Sequence, residues 1–284
     1  METQLSQLKN KSYPHLIAVI LCAGKGRRIK KIFPSTPKAL IKIESLNNIT
    51  ILDHLLDILL DLEIDNIEVI IGHLSNQIEE HFLNMQASHP LIKEKINLIN
   101  SGKAYRKGSL HSFLSITKNI EKYTSKDLFI LFPGDTIFSY SLIENIIYVI
   151  SNNIDLFLKY PGGFYQVINK DEINQTHKEF ISILETFSEN NSTFLEGISQ
   201  IKVKELKFPK IKKVVPIITF PYNTLICIIQ DRKKKASNTI RALINSLIKQ
   251  ESQKIIAFKL NSDFKFYDID TKQDLLALKK KVGQ

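Results

Sequence analysis

The sequence predicts an α/β protein built on an open, mainly parallel sheet flanked by helices, with a β-rich insertion. Three observations carry this. Strand-like apolar runs alternate with amphipathic stretches through the first 150 residues, a βαβαβαβα rhythm that implies parallel strands joined by crossover helices. The first run, LIAVIL at 16–21, is continuously apolar and rich in Ile and Val, as burial on both faces requires. Glycines stand immediately after three of the predicted strands: Gly24 and Gly26, Gly72, and Gly134.

The elements follow in order. Residues 51–62 place leucine and isoleucine at helical spacing, with Asp53, Asp57 and Asp61 recurring every four residues on one face. Residues 68–71 form a second strand ending at Gly72, and 75–83 a helix that Ser75 is placed to cap. A third strand is expected at 96–99, a helix at 109–120, a fourth strand at 128–132 and a helix at 141–150. From about 152 to 235 the rhythm is lost. Polar stretches such as 188–193 appear, with short β-like pieces at 164–168, 214–220 and 225–229. One domain over 1–284 is expected, with 152–235 as a β-rich subdomain on the acceptor side of a cleft. A helix at 238–247, a strand at 254–260 and a closing helix at 272–281 complete the chain.

Composition narrows the class. With 43% hydrophobic and 24% charged residues, the chain has the makings of an ordinary globular core. Its opening residues, METQLSQLKNKSYPH, lack the apolar centre of a signal peptide, and no run is long enough to span a bilayer. Cys22 and Cys227 match no metal-ligand spacing and fit a reducing compartment, so a cytoplasmic protein is expected. The net charge of +10 invites a nucleic-acid reading. However, the excess is spread along the chain, and its two concentrations, at 25–31 and 232–235, lack the interleaved aromatics of an RNA-binding surface.

Ligands of such sheets sit beyond the carboxyl ends of the strands. There the segment 21–38, LCAGKGRRIKKIFPSTPK, joins a strand to a glycine-bearing loop. Its backbone N–H groups can point at an anion, and glycine lets phosphate approach closely. The G-x-G-x-x-G and G-x-x-x-x-G-K-[ST] motifs are both absent. What remains is Gly24, Gly26, Arg27 and Arg28, then Pro37-Lys38, so that Arg28 and Lys38 approach a polyphosphate from two directions. A second feature, FILFPGD at 129–135, ends a strand on Asp135, placed either to hold a hard cation or to cap the next helix. A third, FYDIDTKQDL at 266–275, sets Asp268 and Asp270 two apart, on one face of an extended segment. Like charges so placed repel unless a cation separates them or they serve different groups. Thr271 with Asp274 also reads as a helix start.

The first segment resembles the signature L-x-[AG]-G-x-G-x-R followed by P-K. That signature belongs to the superfamily of sugar-phosphate nucleotidylyltransferases and MobA-like NTP transferases. Leu21, Ala23, Gly24, Gly26, Arg28, Pro37 and Lys38 match it, while Arg27 stands where many members have a small residue. The resemblance covers the first ~150 residues and returns at the C-terminus. It implies a Rossmann-like fold of the nucleotide-diphospho-sugar transferase type. It also implies a Mg²⁺ ion held by Asp135, Asp270 and then Asp268, with Arg28 and Lys38 on the phosphates. Gly108, Ser109 and Ser112 match the family's G-[ST]-x-x-[SA] near the nucleobase, where an ordinary serine-capped helix is the alternative. Gly72-His73 resembles its G-[YH] loop, where His73 is equally an exposed turn residue.

The implied partners are a nucleoside triphosphate and a phosphorylated small-molecule acceptor. The acceptor is expected to be a sugar or polyol phosphate. The DIDT segment leaves open another phosphorylated alcohol, as in MobA-like or choline-phosphate-type enzymes, and a non-catalytic nucleotide sensor is the rival of another class.

Overall fold

The structure, a computed structural model, describes residues 14–88, 94–174, 178–231, 237–251 and 253–282. In chain order the first half comprises β1 (Leu16–Leu21), β2 (Lys42–Ile43), β3 (Ile49–Thr50), α1 (Ile51–Asp61), β4 (Asn66–Ile71), α2 (Ser75–Ser88), β5 (Ile96–Asn100), α3 (Ser109–Phe113), β6 (Leu128–Pro133), β7 (Thr136–Phe138) and α4 (Tyr140–Asn152). The second half comprises α5 (Ile154–Lys159), β8 (Gly162–Asn169), α6 (Lys170–Asn174), β9 (Phe180–Glu189), β10 (Ser192–Lys202), β11 (Lys210–Pro221), α7 (Tyr222–Gln230), α8 (Ile240–Glu251), β12 (Ile256–Leu260), β13 (Phe266–Asp268) and α9 (Lys272–Val282).

One nine-stranded sheet runs β5-β4-β1-β6-β11-β8-β12-β10-β9. Its first four strands are parallel, so the ends of β1, β4, β5 and β6 open on the same side. β11 joins β6 antiparallel and carries the sheet into the later region. There β9 also pairs back on β11 at Ile183–Lys213, closing the far end into a ring. The β1 interior is fully buried, with Ala18 and Ile20 on one core and Ile17 and Val19 on the other. α1, α2 and α4 cover the first face through Leu52, Leu56, Phe82, Ile146 and Ile150. α3, α7 and α8 cover the second through Leu110, Phe113, Leu225, Ile228, Leu243 and Leu247. A small third core joins Ile29 and Ile41, from the segment after β1, to Ile137, Ile269 and Leu278. It ties the first loop to β7 and to the C-terminal elements.

Two elements differ from the sequence expectation. Residues 225–229 lie in α7, not a strand: Leu225 and Ile228, three apart, enter the core while Cys227 between them is exposed. The helix expected over 109–120 is α-helical only to Phe113 and continues as a 3₁₀ segment over Leu114–Lys122. Ser112 and Ser115 there donate their hydroxyls to the carbonyls of Gly108 and His111, both at 3.4 Å, a local bond that bends helices. The polar stretch at 188–193 is the β9–β10 hairpin, with Asn190 and Asn191 at φ +49° and +63° as a tight hairpin turn requires. The basic run at 232–235 lies outside the described residues. Among the described residues no helix is long and apolar enough to cross a membrane.

Candidate active site

The loop after β1 is fastened to its neighbours through the backbone. Cys22 N–H donates to Ile70 C=O at 2.8 Å, His73 N–H to Ala23 C=O at 3.2 Å, and Gly134 N–H to Leu21 C=O at 3.1 Å. Three strand ends are thus laced into one rim. Gly26 takes φ +55°, a left-handed turn that glycine adopts without cost. Its carbonyl accepts from Ile29 and Lys30 N–H, starting the 3₁₀ turn that carries Arg28 and Ile29 away from the strand. Ile29 plugs into the third core. Gly134 is required by contact: a Cβ there meets Cys22 Sγ at 2.5 Å and Leu21 O at 2.7 Å.

Beyond this rim lies a cleft of about 330 Å³, lined among others by Gly24, Gly26, Arg27, Arg28, Lys38, Asp135 and Asp270. At its centre Lys38 Nζ donates to Asp135 Oδ2 at 2.7 Å and to Asp270 Oδ1 at 2.8 Å. Arg28 Nη2 lies 3.0 Å from the other oxygen of Asp270. The Lys38 side chain is only 9% exposed. Burial pulls its pKa down, but Asp135 and then Asp270 outweigh that and hold the ammonium above its ordinary value. Burial likewise pushes Asp270 up, and Lys38, then Arg28 and Lys178, overcome it, keeping the carboxylate below its ordinary value. Asp135 does not cap the following helix, because the Ser139 side chain accepts from Leu142 N–H at the start of α4.

Asp268 is differently placed. It ends β13 opposite Thr136 of β7, and its Oδ1 accepts from Thr136 Oγ1 at 2.8 Å. Burial pushes its pKa up; Lys178 opposes this and the charge of Asp135 adds to it. Asp270 lies two residues on, in the turn before α9. Asp274 Oδ2 accepts there from Asp270 N–H at 2.9 Å, Thr271 N–H at 2.7 Å and Thr271 Oγ1 at 2.9 Å. Thr271 Oγ1 in turn accepts from Asp274 N–H at 3.3 Å, a reciprocal cap. Thus Thr271 and Asp274 cap the helix while the Asp270 carboxylate stays free to face Lys38 and Arg28.

The residues fit a hard divalent cation. An ammonium already sits between carboxylate oxygens from two strand ends, marking where positive charge is stabilised. Among the described residues no group of three or more His, Cys, Asp or Glu is close enough to make a metal site alone. One or two carboxylates completed by substrate phosphates is the set Mg²⁺ commonly uses.

The second group of sequence candidates lies along the same rim. A Cβ at Gly72 meets Ser101 Oγ at 2.7 Å and the Tyr105 ring at 2.9 Å. His73 lies beside Tyr105, ring centroids 5.9 Å apart, and its buried Nε2 has no hydrogen-bond partner among the described residues. Burial, with Lys30 and Lys25 nearby, holds its pKa below the ordinary value. Lys25 and Arg106 both approach the Tyr105 ring, at 5.9 and 6.0 Å. Gly108 adopts φ +126°, and a Cβ there meets Asn238 O at 2.0 Å. Leu110 N–H donates to that carbonyl, and Ser109 Oγ accepts from Ile240 N–H. Ser112 is buried and spends its hydroxyl within the helix. Tyr105, Asn238 and Lys178 were not singled out from the sequence. For Tyr105 a signal existed, since it follows the carboxyl end of β5.

The fold is an open α/β sheet whose strand ends carry a cleft that gathers Arg28, Lys38, Asp135 and Asp270. The model of the MobA-like NTP transferase domain matches residues 18–191, and the chain belongs to that family. Over 157 residues it is 31% identical to the bifunctional protein GlmU of Methanocaldococcus jannaschii, covering 55% of this chain and 34% of that protein. Over 125 residues it is 27% identical to UTP–glucose-1-phosphate uridylyltransferase AglF of Haloferax volcanii, covering 44% and 45%. The chain therefore spans less than half the length of these curated relatives. A crystal structure of UDP-glucose pyrophosphorylase complexed with UDP-glucose superimposes with a TM-score of 0.67 at 12% identity, covering 94% of this chain and 98% of that one. That likeness establishes the fold.

Proposed function

We propose that the chain is a Mg²⁺-dependent enzyme that moves a nucleoside monophosphate from a nucleoside triphosphate to a phosphorylated sugar or polyol, releasing pyrophosphate. The observation that carries this is the meeting of Arg28, Lys38, Asp135 and Asp270 in one cleft at the strand ends. An oxygen of the acceptor phosphate attacks the α-phosphorus, and the bond from α-phosphorus to the bridging oxygen breaks. The electron pair leaves on pyrophosphate. Arg28 and Lys38 neutralise charge on the triphosphate, and the amides around Gly24 and Gly26 orient it. Asp135 and Asp270, with Asp268 behind them, would hold the cation, whose chemistry is charge stabilisation on the reacting phosphates. The site works by placing groups rather than through a covalent intermediate. Gly72, His73, Gly108 and Ser109 lie on the base side. Residues 152–235 serve the acceptor within one 1–284 domain, and the protein acts in the cytoplasm.

A glucose-1-phosphate acceptor in the name of one relative supports a sugar phosphate. The DIDT segment at 268–271 favours the second reading, a MobA-like or choline-phosphate-type transfer to another phosphorylated alcohol. The test incubates the protein with each of the four NTPs, Mg²⁺, and sugar-1-phosphates, inositol phosphate or phosphocholine. Pyrophosphate release dependent on one NTP and one sugar or polyol phosphate supports the reading. Release with phosphocholine alone selects the second. Triphosphate binding without release by any pair points to the non-catalytic sensor.

A further inference from the structure

We propose that Lys178 is a positioning residue for this reaction, fixing through Asp274 the turn that aims Asp270 into the cleft; the inference rests on the transferase reading. Lys178 comes from the acceptor-side region, just before β9, far in sequence from the carboxylates it reaches. Its Nζ donates to the backbone carbonyl of Asp268 at 3.0 Å and lies 3.3 Å from Asp274 Oδ1. The other oxygen of Asp274 receives the N–H groups of Asp270 and Thr271 and the Thr271 hydroxyl. Both oxygens of a carboxylate only 12% exposed are therefore occupied, and among the described residues Lys178 is the cation that balances it. The Thr271–Asp274 cap is complete as a helix start without a lysine. What Lys178 adds is a strut across residues 268–274, gripping the carbonyl on one side of Asp270 and the carboxylate that receives its N–H on the other. With both ends held, the Asp270 side chain is left to Lys38 at 2.8 Å and Arg28 at 3.0 Å. Its charge also lies near Asp268 and Asp270, moderating the repulsion within an acidic cluster.

The strut ties the acceptor-side region to the cation-holding turn, so placement of one follows placement of the other. Partners that orient metal ligands from behind typically cost about 10–100-fold in metal affinity or activity when removed. The test compares Lys178→Met, Lys178→Arg and Asp274→Asn with the unaltered protein. It measures kcat and both KM values, and Mn²⁺ affinity by electron paramagnetic resonance with an α,β-methylene triphosphate present. Lys178→Met is expected to lower kcat and Mn²⁺ affinity by about tenfold or more, with both KM values within about twofold. Lys178→Arg is expected to restore most of both, and the Lys178→Met/Asp274→Asn pair to lose no more than the worse single change. A rise in acceptor KM with Mn²⁺ affinity unchanged overturns the inference in favour of direct contact with acceptor phosphate. A fall in thermal stability with kcat and Mn²⁺ affinity unchanged reduces Lys178 to a structural link and overturns it too. If Lys178→Met fails to fold, the Arg and Asn variants decide by the same readouts. Normal turnover by the unaltered protein, with Lys178→Met indistinguishable from it, sinks this inference alone. Absence of transfer in the unaltered protein sinks the functional reading.

Discussion

Among the described residues Lys38 is the one cation shared by the two carboxylates proposed to hold the metal, so replacing it by methionine should improve metal binding while damaging nucleotide binding. Lys38 Nζ donates to Asp135 at 2.7 Å and to Asp270 at 2.8 Å. A hydrogen bond to a charged group contributes about 1.5–3 kcal/mol. Asp270, 23% exposed, is assigned about 2 kcal/mol on that scale. Asp135, 43% exposed, is discounted for solvent screening to about 1 kcal/mol. A divalent cation taking these oxygens from the free protein must displace interactions of about 3 kcal/mol, or about 100-fold in affinity at 1.4 kcal/mol per tenfold. Methionine keeps the apolar stem and removes the competitor. Titrating Mn²⁺ into nucleotide-free protein should therefore show Lys38→Met binding about 100-fold tighter than the unaltered chain, while its triphosphate affinity falls. In the unaltered chain, a triphosphate that draws Lys38 away should tighten Mn²⁺, and Mn²⁺ should tighten the triphosphate by the same factor. Equal or weaker Mn²⁺ binding by folded Lys38→Met would show that Lys38 does not compete with the cation for these carboxylates.

Other consequences are independent of metal. Glu68 is fully buried on β4 and accepts hydrogen bonds from Tyr123, Asn97 and Asn119, yet burial still pushes its pKa above the ordinary value. A raised native pKa gives stability that is present below the unfolded-state value and lost as pH rises through the native one. Urea unfolding should therefore show the stability of the unaltered protein relative to Glu68→Gln falling as pH rises from the ordinary carboxylate range; a difference that grows with pH contradicts this. Gly108→Ala places a Cβ 2.0 Å from Asn238 O at φ +126°. It should destabilise the fold by about 2 kcal/mol or more, read as a lower urea midpoint, with nucleotide affinity falling as the Asn238 contact is displaced.

The half of the fold with parallel strands was legible because burial on both faces leaves continuous apolar runs, as at Leu16–Leu21, and each strand is punctuated by glycine. Residues 225–229 misled for the same reason: an apolar run suits a strand or a buried helix, and only the spacing of Leu225 and Ile228 separates them. The pairing of β9 with both β10 and β11 is set by contacts distant in sequence, and nothing local announces it. Within the site, Asp135 and Asp270 stood out because a carboxylate at a strand end or a capped turn has no core role, and Lys38 because it follows Pro37 in register with Arg28 and the glycine loop. Lys178 did not, because a lysine in a polar stretch looks like any solvated side chain until folding brings it to Asp274. Asn238 acts through its backbone carbonyl, which leaves no mark on residue type.

In the proposed reaction the bond broken lies between the α- and β-phosphates, and Asp135 is needed to break it. The decisive measurement uses an NTP labelled at the α-phosphate, incubated with Mg²⁺ and the acceptor identified by the substrate panel. Label is expected to move to the phosphorylated acceptor in step with release of unlabelled pyrophosphate. Asp135→Asn, with a free energy of unfolding within about 1 kcal/mol of the unaltered protein, is expected to slow this at least about 100-fold. Transfer by Asp135→Asn at the unaltered rate, or label recovered in free phosphate instead of on the acceptor, contradicts it.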